Sequence, residues 1–424
     1  MASRSVTFHI APDVKQRKEL TFRHNSTHGR HGWLRLTPAY SVKIVDQILS
    51  NKQRALTVLD PFSGTGTTAL CAAMREQPAV GLDINPFLVW LGRAKVQRYG
   101  SDDIMNTQES VGRVLCRLQD RDSALAKQPP IHDIERWWEA DNLTALRRLK
   151  AGIEAVACER EGVKNLLLVA FCRTMMAVSN AAFNHQSMSF RATPDTSGQR
   201  LLFPRKADEI VANHFRSDVE LVLAGAEQNP AGTATVLLAD SRDVPHVFGE
   251  GTDLVITSPP YPNRMSYIRE LRPYMYWLGF LTAARQAGEL DWSAIGGTWG
   301  IATSRVMSWR KNSDAYFPKY LNGLLENIRS SRIKSAEVLS KYVGRYFEDI
   351  WFHLCSTTEV LNPGAEVHYI VGNSKFHDVV VPTEIIYHDM LQHLGFRQLS
   401  VIPLRKRNSK KELFESDVVG VFRN

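Results

Sequence analysis

The 424-residue sequence predicts an α/β fold, with a mostly parallel sheet and helices on both faces. Three observations carry that reading. Short apolar runs stop abruptly at aspartates, at Leu59-Asp60 and at Leu82-Asp83. A turn bearing Gly64 and Gly66 leads from the first run into a helix-like stretch. Near the C-terminus, strand-like and helix-like segments alternate again.

Residues 1–32 are polar and rich in His and Arg, and read as an N-terminal arm. From Trp33 to Leu49 the apolar positions Val42, Val45, Ile48 and Leu49 follow helical spacing behind Thr37-Pro38, which predicts a helix with proline near its start. Ala55-Leu-Thr-Val-Leu59 is a buried-strand signal, Thr67–Arg75 a helix, and Ala79-Val-Gly-Leu82 a second strand ending at Asp83. Residues 96–234 are mostly helical in pattern and read as an insertion. Strand signals return at Thr235–Ala239 and Leu254–Thr257. Residues 285–345 are Trp-rich and basic. The chain closes with strand Val367–Val371, helix Pro382–Leu394, Gly395, and strands Gln398–Pro403 and Val418–Phe422, the last two joined by the turn-like 405–411. So short a connection predicts an antiparallel strand at the sheet's end. The core is thereby assigned to 33–95 and 235–424.

Composition narrows the class. With 44% hydrophobic residues the chain has the material for a sizeable core, and a net charge of +8 suits a polyanionic partner. The five cysteines form no CxxC pair and sit at no zinc-finger spacing, so neither a disulfide framework nor a metal site is expected. The N-terminus has no apolar leader segment, and the most apolar stretch, Leu166 to Val178, is interrupted by Arg173. These features predict a soluble, cytoplasmic protein without a membrane partner.

Asp60-Pro-Phe-Ser-Gly-Thr-Gly-Thr-Thr68 lies where a strand ends and a helix begins. Gly64 and Gly66 let the backbone turn tightly and approach a ligand with no Cβ in the way, and the helix start offers free N–H groups. Asp83, ending the second strand, can accept hydrogen bonds from both ribose hydroxyls of a nucleoside cofactor. A plain βαβ turn would show the glycines too, but not the flanking Asp60, Phe62 and Asp83. The run resembles motif I of the amino-group DNA methyltransferases, DPF-x-G-S/T-G-T-T. That resemblance implies a Rossmann-like class I methyltransferase core and S-adenosylmethionine as cofactor. It places Asp60, Phe62, Gly64 and Gly66 at the methionine part, Asp83 at the ribose and Asp240 at the adenine, with Thr67 and Asn85 as further cofactor-binding residues. Leu36-Thr-Pro-Ala-Tyr40 resembles motif X, which puts Pro38 over the cofactor's other side.

Asp253-Leu-Val-Ile-Thr-Ser-Pro-Pro-Tyr261 is the strongest signal. The two prolines remove two backbone donors and stiffen the loop, leaving carbonyl oxygens outward. Those acceptors and the Ser258 hydroxyl suit an exocyclic NH2 group, whose lone pair is delocalised into its ring. Holding its hydrogens pyramidalises the nitrogen. Tyr261 offers a face for a flipped base. Ser258-Pro259-Pro260-Tyr261 resembles the catalytic motif of the same family, and its TSPPY form is similar to the cytosine-N4 enzymes. The resemblance thus implies methylation of cytosine N4 in double-stranded DNA, in enzymes that often protect a genome from a separately acting restriction endonuclease. No Pro-Cys pair occurs, which excludes the cytosine-C5 mechanism. Adenine-N6 methylation is the nearest alternative. A tRNA guanine-N2 methyltransferase shares the motif order but carries Asp where Ser258 stands, and an inactive DNA-binding protein would not need both motifs. Many cytosine-N4 enzymes carry the two motifs in the opposite order, so target recognition does not transfer by position.

For DNA contact the sequence offers the basic stretch with Arg305, Arg310, Lys311, Arg332 and Lys334, flanked by Trp299 and Trp309. Its other reading is a solvated helix face with core tryptophans. The insertion 96–234, the polar run 184–191 and the basic turn 405–411 are further candidates.

Overall fold

The computed structural model describes residues 14–36, 39–52, 54–157, 160–182, 189–190, 206–249, 251–263, 266–297, 301–332, 334–407 and 413–423. Seven strands form the main sheet: β1 (Val58–Asp60), β2 (Ala79–Asp83), β3 (Ala234–Leu238), β4 (Thr252–Thr257), β5 (Leu361–Gly372), β6 (Arg397–Lys406) and β7 (Phe414–Val421). Their spatial order is β6-β7-β5-β4-β1-β2-β3. The contiguous block β5-β4-β1-β2-β3 pairs in parallel, and β7 runs antiparallel to both β5 and β6. This is the Rossmann-like, mostly parallel arrangement expected from the sequence, with the antiparallel strand at one end. Strand order reverses between β1 and β4, and the crevice outside the carboxyl ends of such a pair is where open α/β sheets bind ligands.

Alternation along the strands fills two cores. Val58, Leu254, Ile256 and Ile370 face the helices α1 (Val42–Ser50) and α2 (Thr67–Met74). Leu59, Val255, Val367, Tyr369 and Val371 face the other way. Helix α1 is capped by Ser41, whose hydroxyl accepts from Lys43 N, and not by the expected proline start. Next come α3 (Pro86–Val96) and, among the described residues of the insertion, the long helices α4 (Ser101–Gln119), α5 (Ala140–Val156), α6 (Glu161–Ala177) and α7 (Ala207–Ala226). The insertion packs on α3 through one large core that includes Phe87, Trp138, Phe171, Phe215 and Trp277.

The basic segment folds as α8 (Ala284–Ser293), α9 (Lys319–Arg329) and the 23-residue α10 (Ala336–Thr358). Val343, Phe347 and Ile350 of α10 are fully buried and cover the sheet's second face together with α11 (Thr383–His393). Trp309 packs so tightly on α10 that a Cβ at Gly344 would meet its ring at 2.5 Å. That tryptophan therefore serves the core, while Trp299 lies outside the described residues.

The expected N-terminal arm is, over its described part, docked onto the body. Arg30 is 1% exposed and donates to the carbonyls of Gly225, Lys95, Gln97 and Ala226 and to Asn229 Oδ1. Its guanidinium also lies over the rings of Trp33 and Tyr99. A polar, basic sequence does not distinguish a solvated arm from one whose cation is satisfied by carbonyls. Among the described residues, no helix is long and apolar enough to cross a membrane.

Candidate active site

The glycine loop sits at the carboxyl end of β1. Gly64 and Gly66 have φ of +51° and +76°, a region that side chains rarely enter. A Cβ on Gly66 would also meet Gly92 Cα of α3 at 3.1 Å, so this glycine sets how closely loop and helix approach. The loop is held from beneath by Lys95, a buried lysine donating to Thr65 O at 2.9 Å. Burial draws its ammonium down to about 7. A cavity of about 310 Å³ abuts the loop at Thr65, walled by Phe22, Asn25, His31, Leu34 and Leu36 of the N-terminal segment. Pro38, expected over the cofactor, lies outside the described residues.

Asp60 is fully buried at the end of β1. Its Oδ1 accepts from Phe62 N at 3.1 Å and from the Thr257 hydroxyl at 2.5 Å. Tyr40, hydrogen-bonded to Thr68, approaches Oδ2 at 3.5 Å. Burial raises this carboxyl to about 6, against the hydrogen bonds that favour its ionised form. Asp83 ends β2 and accepts from Gly64 N (2.9 Å) and Asn85 N (2.8 Å), one bond on each oxygen. Each oxygen keeps acceptor capacity, so the carboxylate fits a pair of ribose hydroxyls. Burial lifts its carboxyl to about 7.

Three other expected cofactor residues have structural partners. Thr67 is buried, its hydroxyl 3.2 Å from that of Thr65. Asn85 caps α3, accepting from Phe87 N at 3.0 Å while its amide nitrogen contacts Met275 Sδ. Asp240 lies two residues past β3 with both oxygens held by Arg242, which also binds Asp349. Its carboxyl stays low despite burial because that guanidinium is adjacent. Phe62 stands edge-on to His353, ring centroids 4.6 Å apart. Burial pushes His353 down to about 4, so the imidazole is neutral.

The Ser258-Pro259-Pro260-Tyr261 corner emerges from β4, directly beside β1. Register pairs Leu59 with Val255, and the Thr257–Asp60 hydrogen bond joins the two motifs. Several polar groups of the corner have partners within the protein. The Ser258 hydroxyl donates to Ile370 O on β5 at 3.1 Å. With its hydrogen so engaged, Oγ presents lone pairs only. Pro260 O accepts from the Tyr346 hydroxyl and Tyr261 N donates to the Tyr267 hydroxyl, both at 2.8 Å. Among the described residues, Pro259 O has no donor. The expectation of outward carbonyls thus fails for Pro260 O, and Pro259, whose carbonyl keeps its acceptor capacity, is itself buried. The Tyr261 ring packs on β5, where a Cβ at Gly372 would meet it at 2.7 Å, and the Arg407 guanidinium lies 5.3 Å from its centroid. Burial pushes the Tyr261 hydroxyl well above the usual phenol range.

Sequence reasoning missed Tyr346 and Gly372, and it took in Arg407 only as part of the basic turn 405–411, not as a neighbour of Tyr261. Nothing local marks them, since each reaches the corner from another element.

The basic residues divide. Arg305 forms a bidentate pair with Glu289 (2.8 and 3.0 Å) and lies over Trp292, so its charge is already neutralised. Arg310, Lys311, Arg332 and Lys334 are exposed. Lys311 also lies over the Phe317 ring. Of the run 184–191, only 189–190 is described, and of 405–411 only 405–407, where Arg405 pairs with Glu415. Among the described residues, no cluster of three or more His, Cys, Asp or Glu is placed to hold a metal ion.

The chain is similar to Type II methyltransferase M.MvaI of Kocuria varians, 21% identical over 379 residues, spanning 86% of this chain and 80% of that protein. It is 19% identical to Type II methyltransferase M.BsoBI of Geobacillus stearothermophilus, with 96% and 87% of the two chains covered. Identity to Type II methyltransferase M.AvaI of Nostoc sp. is 20%, with 94% and 86% covered. No family model matches the chain. Solved structures of the rRNA methyltransferase aviRa from Streptomyces viridochromogenes align with TM-scores of 0.27 and 0.26 at 11% and 12% identity, too low to carry an argument. The first covers 90% of this chain and 86% of that one. The homologues are thus methyltransferases, the class that the two motifs imply.

Proposed function

We propose that this homologue of type II methyltransferases is a DNA methyltransferase that moves a methyl group from S-adenosylmethionine to N4 of cytosine in duplex DNA. The observation that carries the reading is the hydrogen bond from Thr257 to Asp60, which sets the Ser-Pro-Pro-Tyr corner beside the glycine loop at the switch point of the sheet. The residues present fit the cofactor. The glycine loop leaves its backbone approachable, Asp83 has free acceptor capacity for a ribose, and the loop's helix start offers N–H groups to a carboxylate. When bound, that group supplies an electrophilic methyl.

The chain's own residues supply placement and electrostatics. Ser258 Oγ, its hydrogen held by Ile370 O, and Pro259 O are the acceptors for the two hydrogens of an exocyclic amine. Holding both draws the nitrogen towards a tetrahedral shape and localises its lone pair, and the same oxygens stabilise the positive charge that develops there. The acceptors must meet a base outside the stack, so the target is flipped, with Tyr261 and Arg407 flanking it. A neutral serine in place of a carboxylate, within TSPPY, favours cytosine N4 over adenine N6. The exposed Arg310, Lys311, Arg332 and Lys334 contact phosphates, and the helical insertion 96–234 is available to read sequence. The type II relatives favour a role in protecting DNA from a separate endonuclease. Base-resolved sequencing of DNA from cells expressing the chain tests all of this. N4-methylcytosine in a fixed short context is the expected result. N6-methyladenine would overturn the base assignment, and unmodified DNA the enzyme itself.

A further inference from the structure

Proline fixes φ but leaves ψ free, so the diproline corner is not rigid by composition alone. The orientation of the peptide plane between Pro260 and Tyr261 decides where Tyr261 points. It also decides whether Pro260 O competes with Pro259 O for the target amine. That plane is held at both ends. Its carbonyl accepts from Tyr346, a residue 1% exposed on α10, and its N–H donates to Tyr267, six residues beyond the corner. Tyr346 is itself fixed by the Tyr387 hydroxyl of α11 at 3.3 Å. A second buried tyrosine one turn earlier, Tyr342, bonds Gly296 O at 3.2 Å.

We infer that Tyr346 and Tyr267 are positioning residues that clamp one peptide plane and thereby present Pro259 O, not Pro260 O, to the target amine. The inference rests on the methyltransferase reading given above. Neither tyrosine is a catalytic residue, since both act through the backbone of the corner. A clamp of this kind governs the rate of the chemical step and leaves binding untouched, because small displacements of reacting groups weigh heavily on the barrier.

Tyr346→Phe and Tyr267→Phe keep each ring and delete only the hydroxyl. Single-turnover methyl transfer to duplex DNA is measured beside the dissociation constants for S-adenosylmethionine and DNA, with Tyr342→Phe as a control for loss of a buried hydroxyl. Each clamp variant is expected to slow transfer about tenfold, with both dissociation constants within about twofold of the parent. The double variant is expected to lose less than the product of the single losses, since both hydroxyls hold the same plane. Should Tyr346→Phe fail to fold, Tyr267→Phe, which lies outside the core helices, carries the test. Parent-like rates in the clamp variants alongside an inactive Ser258→Ala would overturn the clamp. An active Ser258→Ala, or a parent without methyl transfer, would instead overturn the reading beneath it.

Discussion

Ser258→Ala removes one oxygen and adds no bulk, which makes its consequences separable. In the folded protein the hydroxyl donates a neutral hydrogen bond to Ile370 O at 3.1 Å and also interacts with the Tyr261 hydroxyl. Losing it costs about 1 kcal/mol of stability. The neighbouring Thr257–Asp60 bond and the glycine loop are untouched, so cofactor affinity is expected to stay within about twofold. The transition state is affected far more, because charge develops on the amine held by Ser258 Oγ and Pro259 O. Removing one of two such polar contacts compares with deleting one oxyanion-hole donor, about 3 kcal/mol or roughly a hundredfold in rate. Single-turnover transfer of radiolabelled methyl to duplex DNA, read with calorimetric cofactor titration and a urea unfolding curve, separates the three effects. Full turnover in the variant would refute the acceptor role. Lost turnover accompanied by lost cofactor binding would refute the separation of the two motifs' tasks.

Arg30→Ala leaves four carbonyls and the Asn229 side chain without their buried donor, and is expected to destabilise the protein by about 3–5 kcal/mol in chemical unfolding. A shift below 1 kcal/mol would show that the segment docks without its cation. His368 is buried between Asp417 and Glu366, each at 2.7 Å; burial pulls its pKa down, but the two carboxylates outweigh that and hold it at about 9. Its charged form therefore contributes stability in full below pH about 6.5 and loses it as pH rises through about 9, worth about 3 kcal/mol. The stability difference between parent and His368→Gln is expected to shrink across that window; a difference that grows there would contradict the ion cluster. Asp83, lifted by burial to about 7, must be ionised to accept two hydroxyls, so S-adenosylmethionine is expected to bind about tenfold more weakly at pH 6 than at pH 8. Asp83→Asn should bind weakly at both, and pH-independent binding by the parent would remove Asp83 from the ribose.

Much of the site was legible in the sequence because its chemistry depends on local backbone properties. Gly64 and Gly66 adopt φ values that favour glycine, the consecutive prolines at 259 and 260 remove two donors wherever they occur, and buried strands with period-two cores show as short apolar runs ending in polar residues. Strand edges were less legible. The five-residue signal at Val367–Val371 extends to Leu361–Gly372, because Leu361 pairs with Thr252 and Glu366 with Leu254 and Val421, across an irregular stretch of turn-forming composition. The dual character of charged residues was hidden as well. Arg305 and Arg310 look alike in a basic run, yet Glu289 neutralises the first and leaves the second exposed.

The sequence by itself therefore determined the fold class, the glycine loop and the diproline corner at Ser258–Tyr261, since each follows from what those residues do to their own backbone. Only the tertiary structure decided which oxygens of the corner are left to act. Tyr346 takes one carbonyl, Ile370 takes the serine's hydrogen, Arg407 comes to lie beside Tyr261, and Arg242 takes both oxygens of Asp240. Apart from Arg242, two positions from Asp240, these partners stand 86, 112 and 146 positions away along the chain, distances over which no local pattern specifies who meets whom. Packing of the helices against the sheet brings them together, and with them the selectivity of the site.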